Sequence, residues 1–413
     1  MARLSCPTDV IHTDDAGGVR GDRIGVLLLT SSLERGGAEQ QVVQLANGLD
    51  SERFRVYVCS LSAEVPLASD LRDGGACLSI VQKRYKYDVT LIPRVARLIR
   101  KLRVEVVHSF MFDAEIVGRL AGRLAGVPAV ICSNRCPHLK RTPFKLWLAR
   151  VTRPCFDMMI ANSHAGLTFE RTCQGVRADK LRLIPNGVDT QRFRPGNASM
   201  ERRALGIPED SMIVGMFAHF RGNKDYATLL DAAARVLKTR DDVVFVCAGR
   251  PDGEGRETMF GRAQSAVAAH GMGDRVRFLG LREDLDELYR LLDVKVLSTR
   301  FEGTPNVVLE AMASAVPVVA TDVSDNARIV LDGRTGFIVP PESPDVMAER
   351  IMRLLDDPVL RRSFGAAARH RVETEYSVET LGRRTAESYL SVLERKGRTG
   401  SVDAATSLME GGA

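Results

Sequence analysis

Short apolar runs typical of buried strands alternate along this chain with longer stretches of helical periodicity, and the alternation occurs in two series. The first series consists of RIGVLLLT (23–30), FRVYVCSL (54–61), VEVVHSF (104–110), PAVICS (128–133) and FDMMIANS (156–163). The second consists of SMIVGMFA (211–218), VVFVCAG (243–249), RVRFLG (275–280), DVKVLST (293–299), VPVVAT (316–321) and GFIVPP (336–341). Strands that alternate with helices form parallel sheets covered by helices. The sequence therefore predicts an α/β protein with two doubly wound parallel-sheet domains.

The length and the segments outside the two series predict the domain boundaries. A chain of 413 residues exceeds what one hydrophobic core usually holds, and a polar segment with two prolines and two glycines (189–210) separates the two series. After Pro358 the helical periodicity continues to about Lys396, with a break near Tyr376. The predicted organisation is a flexible leader (1–21), an N-terminal domain (22–190), a C-terminal domain (191–375), a final helix that returns to the N-terminal domain (376–396) and a disordered tail (397–413).

Composition excludes several classes of protein. No apolar run reaches the length of about 18 residues that spans a bilayer, and residues 1–21 lack the apolar core of a secretory signal. The eight cysteines form no CxxC pair and lie mostly in apolar runs, which predicts reduced thiols and a cytoplasmic protein. The spacing of Cys132, Cys136 and His138 resembles part of a zinc site. No second pair of cysteine or histidine ligands follows at the spacing that such a site requires. We therefore expect no bound metal.

The segment EGTPNVVLE (302–310) combines a turn, a helix start and two carboxylates. Thr304 is predicted as the N-cap and Pro305 as the first helical residue, so backbone N–H groups at the helix start would point toward an anion. Glu302 would lie in the loop and Glu310 on the second helical turn, about 8 Å further along. Such carboxylates can accept hydrogen bonds from sugar and ribose hydroxyls. The pattern favours a sugar nucleotide, and the alternative is an ordinary helix start with two solvated glutamates.

Other candidate residues occupy the ends of predicted strands and the loops after them, where parallel sheets bind ligands. Gly36 and Gly37 open a helix after the first strand, so their N–H groups could approach a ligand; a plain turn is the alternative. His108 ends the third strand and is either a buried structural histidine or a side chain at the site. Lys224 follows the first strand of the second series, where its ammonium either reaches a phosphate or is solvated.

The segment RCPHLKRTPFKLWLARVTR (135–153) mixes cations with apolar side chains and contains the only tryptophan of the chain. Lys140, Arg141 and Lys145 are interleaved with residues such as Trp147, a pattern typical of a helix on an anionic membrane surface. The alternative is a surface helix that packs its apolar side on its own domain. The net charge of +6 is accompanied by no nucleic-acid-binding motif, so nucleic acid is not an expected partner.

Taken together, seven motifs resemble, in order and spacing, the family 4 retaining glycosyltransferases of the GT-B fold. They are GGAE (36–39), VVHSF (106–110), NS (162–163), PNGVD (185–189), the Lys224 loop, SxxxEGTPNVVLEAMA (298–313) and PVVATDV (317–323). The resemblance extends from about residue 23 to residue 395. It implies two Rossmann-like domains facing across a cleft, the first for the acceptor and the second for the nucleotide sugar.

The resemblance also implies roles for individual residues. Glu302 would contact the donor sugar, Glu310 the ribose, Lys224 the phosphates and His108 the transferred sugar, which makes Glu302, His108 and Lys224 the predicted catalytic residues. The wider predicted donor site comprises Gly37, His219, Arg221, Gly303, Thr304, Pro305, Asn306 and Glu310. The predicted acceptor or membrane contacts are Lys140, Arg141, Lys145 and Trp147.

Two positions depart from the family pattern. The arginine often found five residues before the phosphate-binding lysine is His219, with Arg221 nearby, which leaves the second phosphate cation unassigned. The glutamate often seen after the PVVAT strand is Arg328, which bears either on donor choice or on the interface. Asp284 and Asp286 match a D-x-D metal pattern, but they lie at the start of an amphipathic helix, where acids complement the helix dipole. We therefore expect transfer without a metal.

The implied activity is transfer of a sugar, with retention of configuration, from a UDP- or GDP-sugar to a hydroxyl of a glycan or lipid-linked acceptor, in cell-surface polysaccharide or lipopolysaccharide assembly. No cofactor beyond the donor substrate is expected. The implied location is the cytoplasm, with the basic segment at the inner face of the plasma membrane. Two alternatives remain open: a nucleotide-sugar 2-epimerase of the same architecture, and a non-catalytic scaffold that binds nucleotide sugars.

Overall fold

The computed structural model describes residues 23–71, 76–85, 87–135 and 142–397. The chain divides into two compact units between Gly187 and Val188 and again between Ser377 and Val378. The first unit contains the N-terminal part of the chain together with the last helix, and the second contains the residues in between. The predicted leader, the predicted tail beyond Gly397, and the segment 136–141 with Lys140 and Arg141 lie outside the described residues.

A parallel sheet of seven strands, in the order β3-β2-β1-β4-β5-β6-β7, forms the centre of the first unit. The strands are β1 (Ile24–Thr30), β2 (Phe54–Ser60), β3 (Ala76–Ile80), β4 (Val106–Phe110), β5 (Ala129–Asn134), β6 (Met158–Ala161) and β7 (Leu181–Leu183). Leu28 on β1 lies between Val58 on β2 and His108 on β4. All five predicted runs form strands. The prediction missed β3 and β7, because these two edge strands are short, only partly buried and without a continuous apolar run.

Helices cover both faces of this sheet. They are α1 (Gly37–Gly48), α2 (Leu91–Leu102), α3 (Phe112–Ala125), α4 (Pro143–Val151), α5 (His164–Thr172) and, at the end of the chain, α14 (Val378–Arg395), with 3-10 turns at Pro66–Asp70, Arg153–Cys155 and Ala178–Lys180. Val26 and Leu28 pack in the core on one face, whereas Leu27 and Leu29 pack in the core on the other. This alternation follows from the period of two of a β-strand.

The last helix, α14, is part of the core of the first unit. Its residues Leu381 and Tyr389 are buried in the cluster on one face of the seven-stranded sheet. At Gly382 the helix comes so close to α1 that a Cβ atom would lie 1.8 Å from the carbonyl oxygen of Gly48. Glycine is the residue that permits this approach, because it has no Cβ.

A parallel sheet of six strands, in the order β10-β9-β8-β11-β12-β13, forms the centre of the second unit. The strands are β8 (Met212–Phe217), β9 (Val243–Ala248), β10 (Val276–Phe278), β11 (Val294–Leu297), β12 (Val318–Thr321) and β13 (Gly336–Val339). The helices are α6 (Ser199–Ala204), α7 (Tyr226–Thr239), α8 (Met259–Ala269), α9 (Leu285–Leu291), α10 (Asn306–Ala313), α11 (Asn326–Ile329), α12 (Pro344–Asp356) and α13 (Pro358–Glu375), with a 3-10 turn at Gly273–Arg275. All six apolar runs of the second series are therefore strands, and the predicted fold class is confirmed.

Both sheets share a feature that determines where ligands bind. β1 lies beside β4 in the first sheet, and β8 lies beside β11 in the second, so the strand order reverses at these two pairs. Ligands of open parallel sheets bind beyond the carboxyl ends of the strands at such a reversal, because the loops on either side lead away in opposite directions. In the second unit these loops are residues 218–225 after β8 and 298–305 after β11.

Candidate functional site

The two loops at the strand reversal of the second sheet are joined by backbone hydrogen bonds. The Asp225 N–H donates to the Ser298 carbonyl oxygen (3.0 Å), and the Arg300 N–H donates to that of Asn223 (2.9 Å). Lys224 and Thr299 form an antiparallel bridge between these contacts. The side chains of the two loops are therefore held side by side at the carboxyl edge.

Lys224 and Glu302 form an ion pair at this edge. Their ammonium and carboxylate groups are in direct contact, and the side chains are only 14% and 13% exposed. The Thr299 hydroxyl donates to Glu302 Oε1 (3.1 Å). The Glu302 N–H donates to Oγ of Ser324 (3.0 Å), a residue in the left-handed region (φ 53°). Backbone strain of this kind concentrates at functional sites. The structure thus brings together two of the predicted residues and excludes the alternative of two solvated glutamates.

The helix that follows Glu302 begins one residue later than predicted. α10 starts at Asn306, and Pro305 is its N-cap, because its ψ of 111° is extended and not helical. Thr304 therefore precedes the cap, and the prediction of Thr304 as N-cap and Pro305 as first helical residue was wrong. The positive end of the helix dipole still faces the loop that carries Gly303.

Glu310 lies on the second turn of α10, as predicted, but it is 3% exposed. The Tyr289 hydroxyl on α9 lies 3.0 Å from Glu310 Oε2 and 3.0 Å from the carbonyl oxygen of Val307. Burial raises the pKa of Tyr289 well above its usual range, and the negative charge of Glu310 raises it further. The tyrosine is therefore neutral, and its hydroxyl donates the hydrogen bond. The tyrosine thereby fixes the orientation of the carboxylate.

The charges of Lys224, Arg221 and Arg250 all act on His219. Arg221 and Arg250 are exposed, and the Arg250 N–H donates to Nδ1 of His219 (3.0 Å). Burial lowers the pKa of His219, and the charges of Arg221, Arg250 and Lys224 lower it further. His219 is therefore a neutral acceptor near pH 7, and the charge at the edge resides on Lys224 and the two arginines. Arg328, the other departure from the family pattern, is exposed on α11.

The two aspartates of the D-x-D pattern are engaged in ion pairs. Asp284 is the N-cap of α9 and accepts from Nε of Arg282 (2.8 Å), a hydrogen bond that lowers its pKa. Asp286 pairs with Arg192 (3.3 Å) and Arg290 (3.7 Å). Over the described ranges, no three His, Cys, Asp or Glu side chains are grouped as metal ligands would be.

His108, in the first unit, lies inside the sheet. The sequence predicted His108 at the end of its strand, but it is the third of the five residues of β4. Its side chain is fully buried. Its Nδ1 is 2.7 Å from the Tyr389 hydroxyl, and its Nε2 is 2.7 Å from Oγ of Ser133. Burial and the charge of Arg135 lower the pKa of His108 well below its usual range, so the ring is neutral. Its predicted role at the transferred sugar stays a prediction.

The remaining predicted residues of the first unit lie at helix starts and on the surface. Gly37 is the exposed first residue of α1. On α4, Phe144 (58% exposed), Trp147 (56%) and Val151 (50%) follow helical spacing along one face, and Phe144 stacks on Trp147. Lys145 is exposed, and its Nζ lies 5.1 Å from the ring centroid of Phe112. Within the described parts of the chain, none of the helices has the length and apolar character needed to cross a membrane.

The sequence reasoning missed two residues that shape the carboxyl edge of the second sheet, Thr299 and Tyr289. Thr299 lies in the loop after β11, three residues before Glu302. This closeness in the sequence could have indicated that the Thr299 hydroxyl contacts the Glu302 carboxylate. Tyr289 is fully buried among Phe217 and Phe193. A buried tyrosine needs a hydrogen-bond partner, but no local signal points to Glu310 as that partner.

Comparisons with known proteins agree with this architecture. Residues 35–192 match the family model Glycosyltransferase Family 4, and residues 198–371 match Glycosyl transferases group 1. A protein of Bacillus subtilis (strain 168) named as the glycosyltransferase EpsF is 30% identical over 378 residues, which cover 86% of this chain and 91% of that protein. The UDP-Gal:alpha-D-GlcNAc-diphosphoundecaprenol alpha-1,3-galactosyltransferase of Escherichia coli is 27% identical over 285 residues, 66% of this chain and 72% of that enzyme.

Solved structures show the same fold. The glycosyltransferase from Rickettsia africae ESF-5 has a TM-score of 0.78 at 18% identity and covers 90% of this chain and 99% of its own. Anabaena Alr3699/HepE, crystallised with UDP, has a TM-score of 0.77 at 22% identity and covers 89% of this chain and all of its own. With both domain models matched and a relative aligned over most of both chains, the chain belongs to the group 1, family 4 glycosyltransferases of the GT-B fold.

Proposed function

We propose that this glycosyltransferase moves a sugar, with retention of configuration, from a nucleotide-sugar donor to a hydroxyl of a lipid-linked glycan. The observation that carries the proposal is the Lys224–Glu302 pair, with Glu310 on the following helix, at the strand reversal of the second sheet. These three side chains place both signs of charge at one edge of the sheet, where they can stabilise charge that develops in a transition state.

The proposed donor site assigns one part of the ligand to each group. The diphosphate binds beside Lys224 and Arg221 at the positive end of α10, which stabilises negative charge. Glu302 leaves its ion pair with Lys224 and accepts hydroxyls of the sugar, while Glu310 accepts those of the ribose. UDP in the HepE crystal structure makes a uridine nucleotide the first one to test.

The proposed chemistry needs no nucleophile from the protein. The acceptor oxygen bonds to the anomeric carbon on the face that the leaving group vacates, the bond from that carbon to the phosphate oxygen breaks, and the electron pair stays on the phosphate. The acceptor proton passes to that phosphate. Lys224 and the helix dipole stabilise the growing negative charge, which is the main source of rate enhancement in such a site. Transfer in excess EDTA is therefore expected.

The proposed acceptor is met at an anionic membrane surface. Phe144, Trp147 and Val151 form a stripe that is at least half exposed, and cations border it in the sequence. This combination suits a helix that lies in the headgroup layer. The Escherichia coli relative, by its name, acts on a diphosphoundecaprenol-linked sugar, which supports an acceptor of the same class.

A thermal-shift panel of UDP-, GDP- and ADP-sugars tests the donor proposal, because a ligand at 100 times its Kd adds about 2.7 kcal/mol to the free energy of unfolding. One base should raise the melting temperature above the others. Product analysis with that donor separates the activities: a new glycosidic bond supports transfer, an epimerised sugar would indicate a 2-epimerase, and binding without turnover would indicate a scaffold.

A further inference from the structure

Lys295 is a fully buried lysine at the centre of the second sheet. It is the second residue of β11, its exposure is 0%, and its Nζ has no hydrogen-bond partner among the described residues. The ring centroid of Phe217 on β8 lies 5.1 Å from Nζ. The other residues of β11 (Val294, Val296 and Leu297) are apolar, as expected for a strand covered on both faces. Burial of an amine without a hydrogen-bond partner costs free energy, so packing alone does not account for a lysine at this position.

Four ionisable side chains act on Lys295, and three of them belong to the proposed donor site. Burial lowers the pKa of Lys295 to about 7, and the positive charge of Lys224 contributes, while Glu310, Cys247 and Glu302 oppose the change. Cys247 carries no charge near neutral pH, because burial raises the pKa of its thiol to about 12. The balance of charge felt by Lys295 therefore depends on Lys224, Glu302 and Glu310.

We propose that Lys295 is a positioning residue of the donor site, whose amine takes up a proton from solvent when the diphosphate of a sugar nucleotide binds beside Lys224. The inference rests on the proposed function, since it requires an anionic ligand at Lys224. The diphosphate brings negative charge close to Lys224 and separates that lysine from Glu302. The potential at Lys295 becomes more negative, which favours the ammonium over the neutral amine. The positive charge of the Lys295 ammonium, within β11, then attracts the anionic ligand at the edge of the sheet.

The inferred protonation makes donor affinity depend on pH in a defined direction. Well below pH 7 Lys295 is charged with or without ligand, and well above about pH 9 it is neutral in both states. Compared with a variant that lacks the amine, the wild type therefore binds more tightly as the pH falls through this interval. A rise of one unit in the pKa of Lys295 on binding corresponds to about tenfold in affinity.

The test is isothermal titration calorimetry of wild type and Lys295→Met with UDP-glucose, GDP-mannose and ADP-glucose. Methionine preserves the length of the side chain without its charge. Titrations at about pH 8 in buffers of different ionisation enthalpy count the protons taken up, and we expect on the order of half a proton more in the wild type than in the variant. The ratio of the two Kd values should be about fivefold near pH 7, approach about tenfold near pH 6 and approach one near pH 9.5.

His219→Gln is the matched control, because His219 is a half-buried titratable group whose pKa is lowered by burial and by the charges of Arg221, Arg250 and Lys224. Proton uptake should persist in this variant, whatever its affinity. Equal proton uptake by wild type and Lys295→Met, or a Kd ratio that does not change with pH, overturns the inference and leaves the proposed function intact.

Two further outcomes keep the tests distinct. If the wild type binds none of the three sugar nucleotides, the proposed function fails, and the inference fails with it. If Lys295→Met does not fold, wild type and His219→Gln decide the matter: uptake present in both supports Lys295, and uptake absent from the wild type or lost in His219→Gln overturns it.

Discussion

The two sheets have the same strand order at their centres, yet they use polar residues differently. In the first, His108 lies within β4, and both of its ring nitrogens are hydrogen-bonded to buried hydroxyls of Ser133 and Tyr389. In the second, Lys224 and Glu302 lie just beyond the ends of β8 and β11 and pair with each other at the edge. A strand residue whose polar atoms are all hydrogen-bonded, such as His108, is committed to its neighbours, whereas a residue just past the strand end can exchange its partner for a ligand.

This comparison predicts opposite consequences for substitutions in the two places. Changes at the edge of the second sheet should impair turnover and leave folding intact. Changes at His108 should impair folding first, and any effect on turnover should appear only as a consequence.

The largest expected effect is on turnover in Lys224→Ala. We expect kcat to fall by about 100- to 1000-fold, the scale of losing one preorganised electrostatic contact, with a melting temperature close to that of the wild type. Steady-state kinetics with the preferred donor measure this. Lys238→Ala, an exposed lysine on α7, is the control and should keep wild-type kinetics. Equal kcat in Lys224→Ala and wild type would remove Lys224 from the site.

The next effect is on the stability of the first unit in His108→Ala. The substitution leaves the hydroxyls of Ser133 and Tyr389 without their shared partner, which should lower the free energy of unfolding by about 2–4 kcal/mol. Urea unfolding followed by Trp147 fluorescence reports on this unit. His370→Ala, at an exposed position of α13, should change stability by less than about 0.5 kcal/mol.

A folded His108 variant separates the two roles. His108→Asn can keep one hydrogen bond within the network. If this variant has wild-type stability but loses turnover by about 100-fold, His108 acts on the substrate, and the contrast between the two sheets is wrong.

A smaller effect concerns the pH dependence of stability through Lys295. Its pKa is about 7 in the folded protein and about 10.4 in an unfolded chain, so between these values the unfolded state binds more protons. The stability contribution of Lys295 therefore rises with pH across this interval and is lost as the pH falls toward 7, by up to about 1.4 kcal/mol per pH unit. In Lys295→Met this part of the slope should disappear. Urea unfolding at a series of pH values measures it, and parallel slopes for both proteins would contradict a neutral buried amine.

The smallest expected effect is on membrane binding through α4. Trp147→Ser should weaken binding to anionic vesicles by about tenfold, because partial burial of the indole contributes about 1–2 kcal/mol. Vesicle sedimentation at low salt measures this, since salt screens the contribution of the cations. Met200→Ser, which changes a 78% exposed residue on α6, is the control. Identical sedimentation of the two variants would identify α4 as an ordinary surface helix.

The sequence predicted most of the fold because parallel strands buried on both faces are continuous apolar runs. Its failures have physical causes. The strands β3 and β7 lack such runs, since they lie at the two edges of the sheet that the described residues form. The start of α10 was misplaced by one residue, because the preference of proline for the first helical position does not reveal that Pro305 has an extended ψ.

The candidate site was predictable only where its chemistry is local. Lys224, Glu302 and Glu310 lie in short motifs next to a strand end or a helix start. Tyr289 and Lys295 could not be found in this way, because their environment comes from elements far apart in the sequence: Glu310 on α10, and Phe217 on β8. Burial of a polar side chain inside a sheet becomes visible only once the strands are paired.

The central claim is that the donor diphosphate replaces Glu302 as the partner of Lys224 at the carboxyl edge of the second sheet. A crystal structure with the preferred sugar nucleotide tests it most directly. We predict a phosphate oxygen within about 2.7–3.2 Å of Lys224 Nζ, with Glu302 turned to the sugar hydroxyls and Glu310 accepting from the ribose. A nucleotide bound away from the ends of β8 and β11, with the Lys224–Glu302 ion pair unchanged, would contradict the claim.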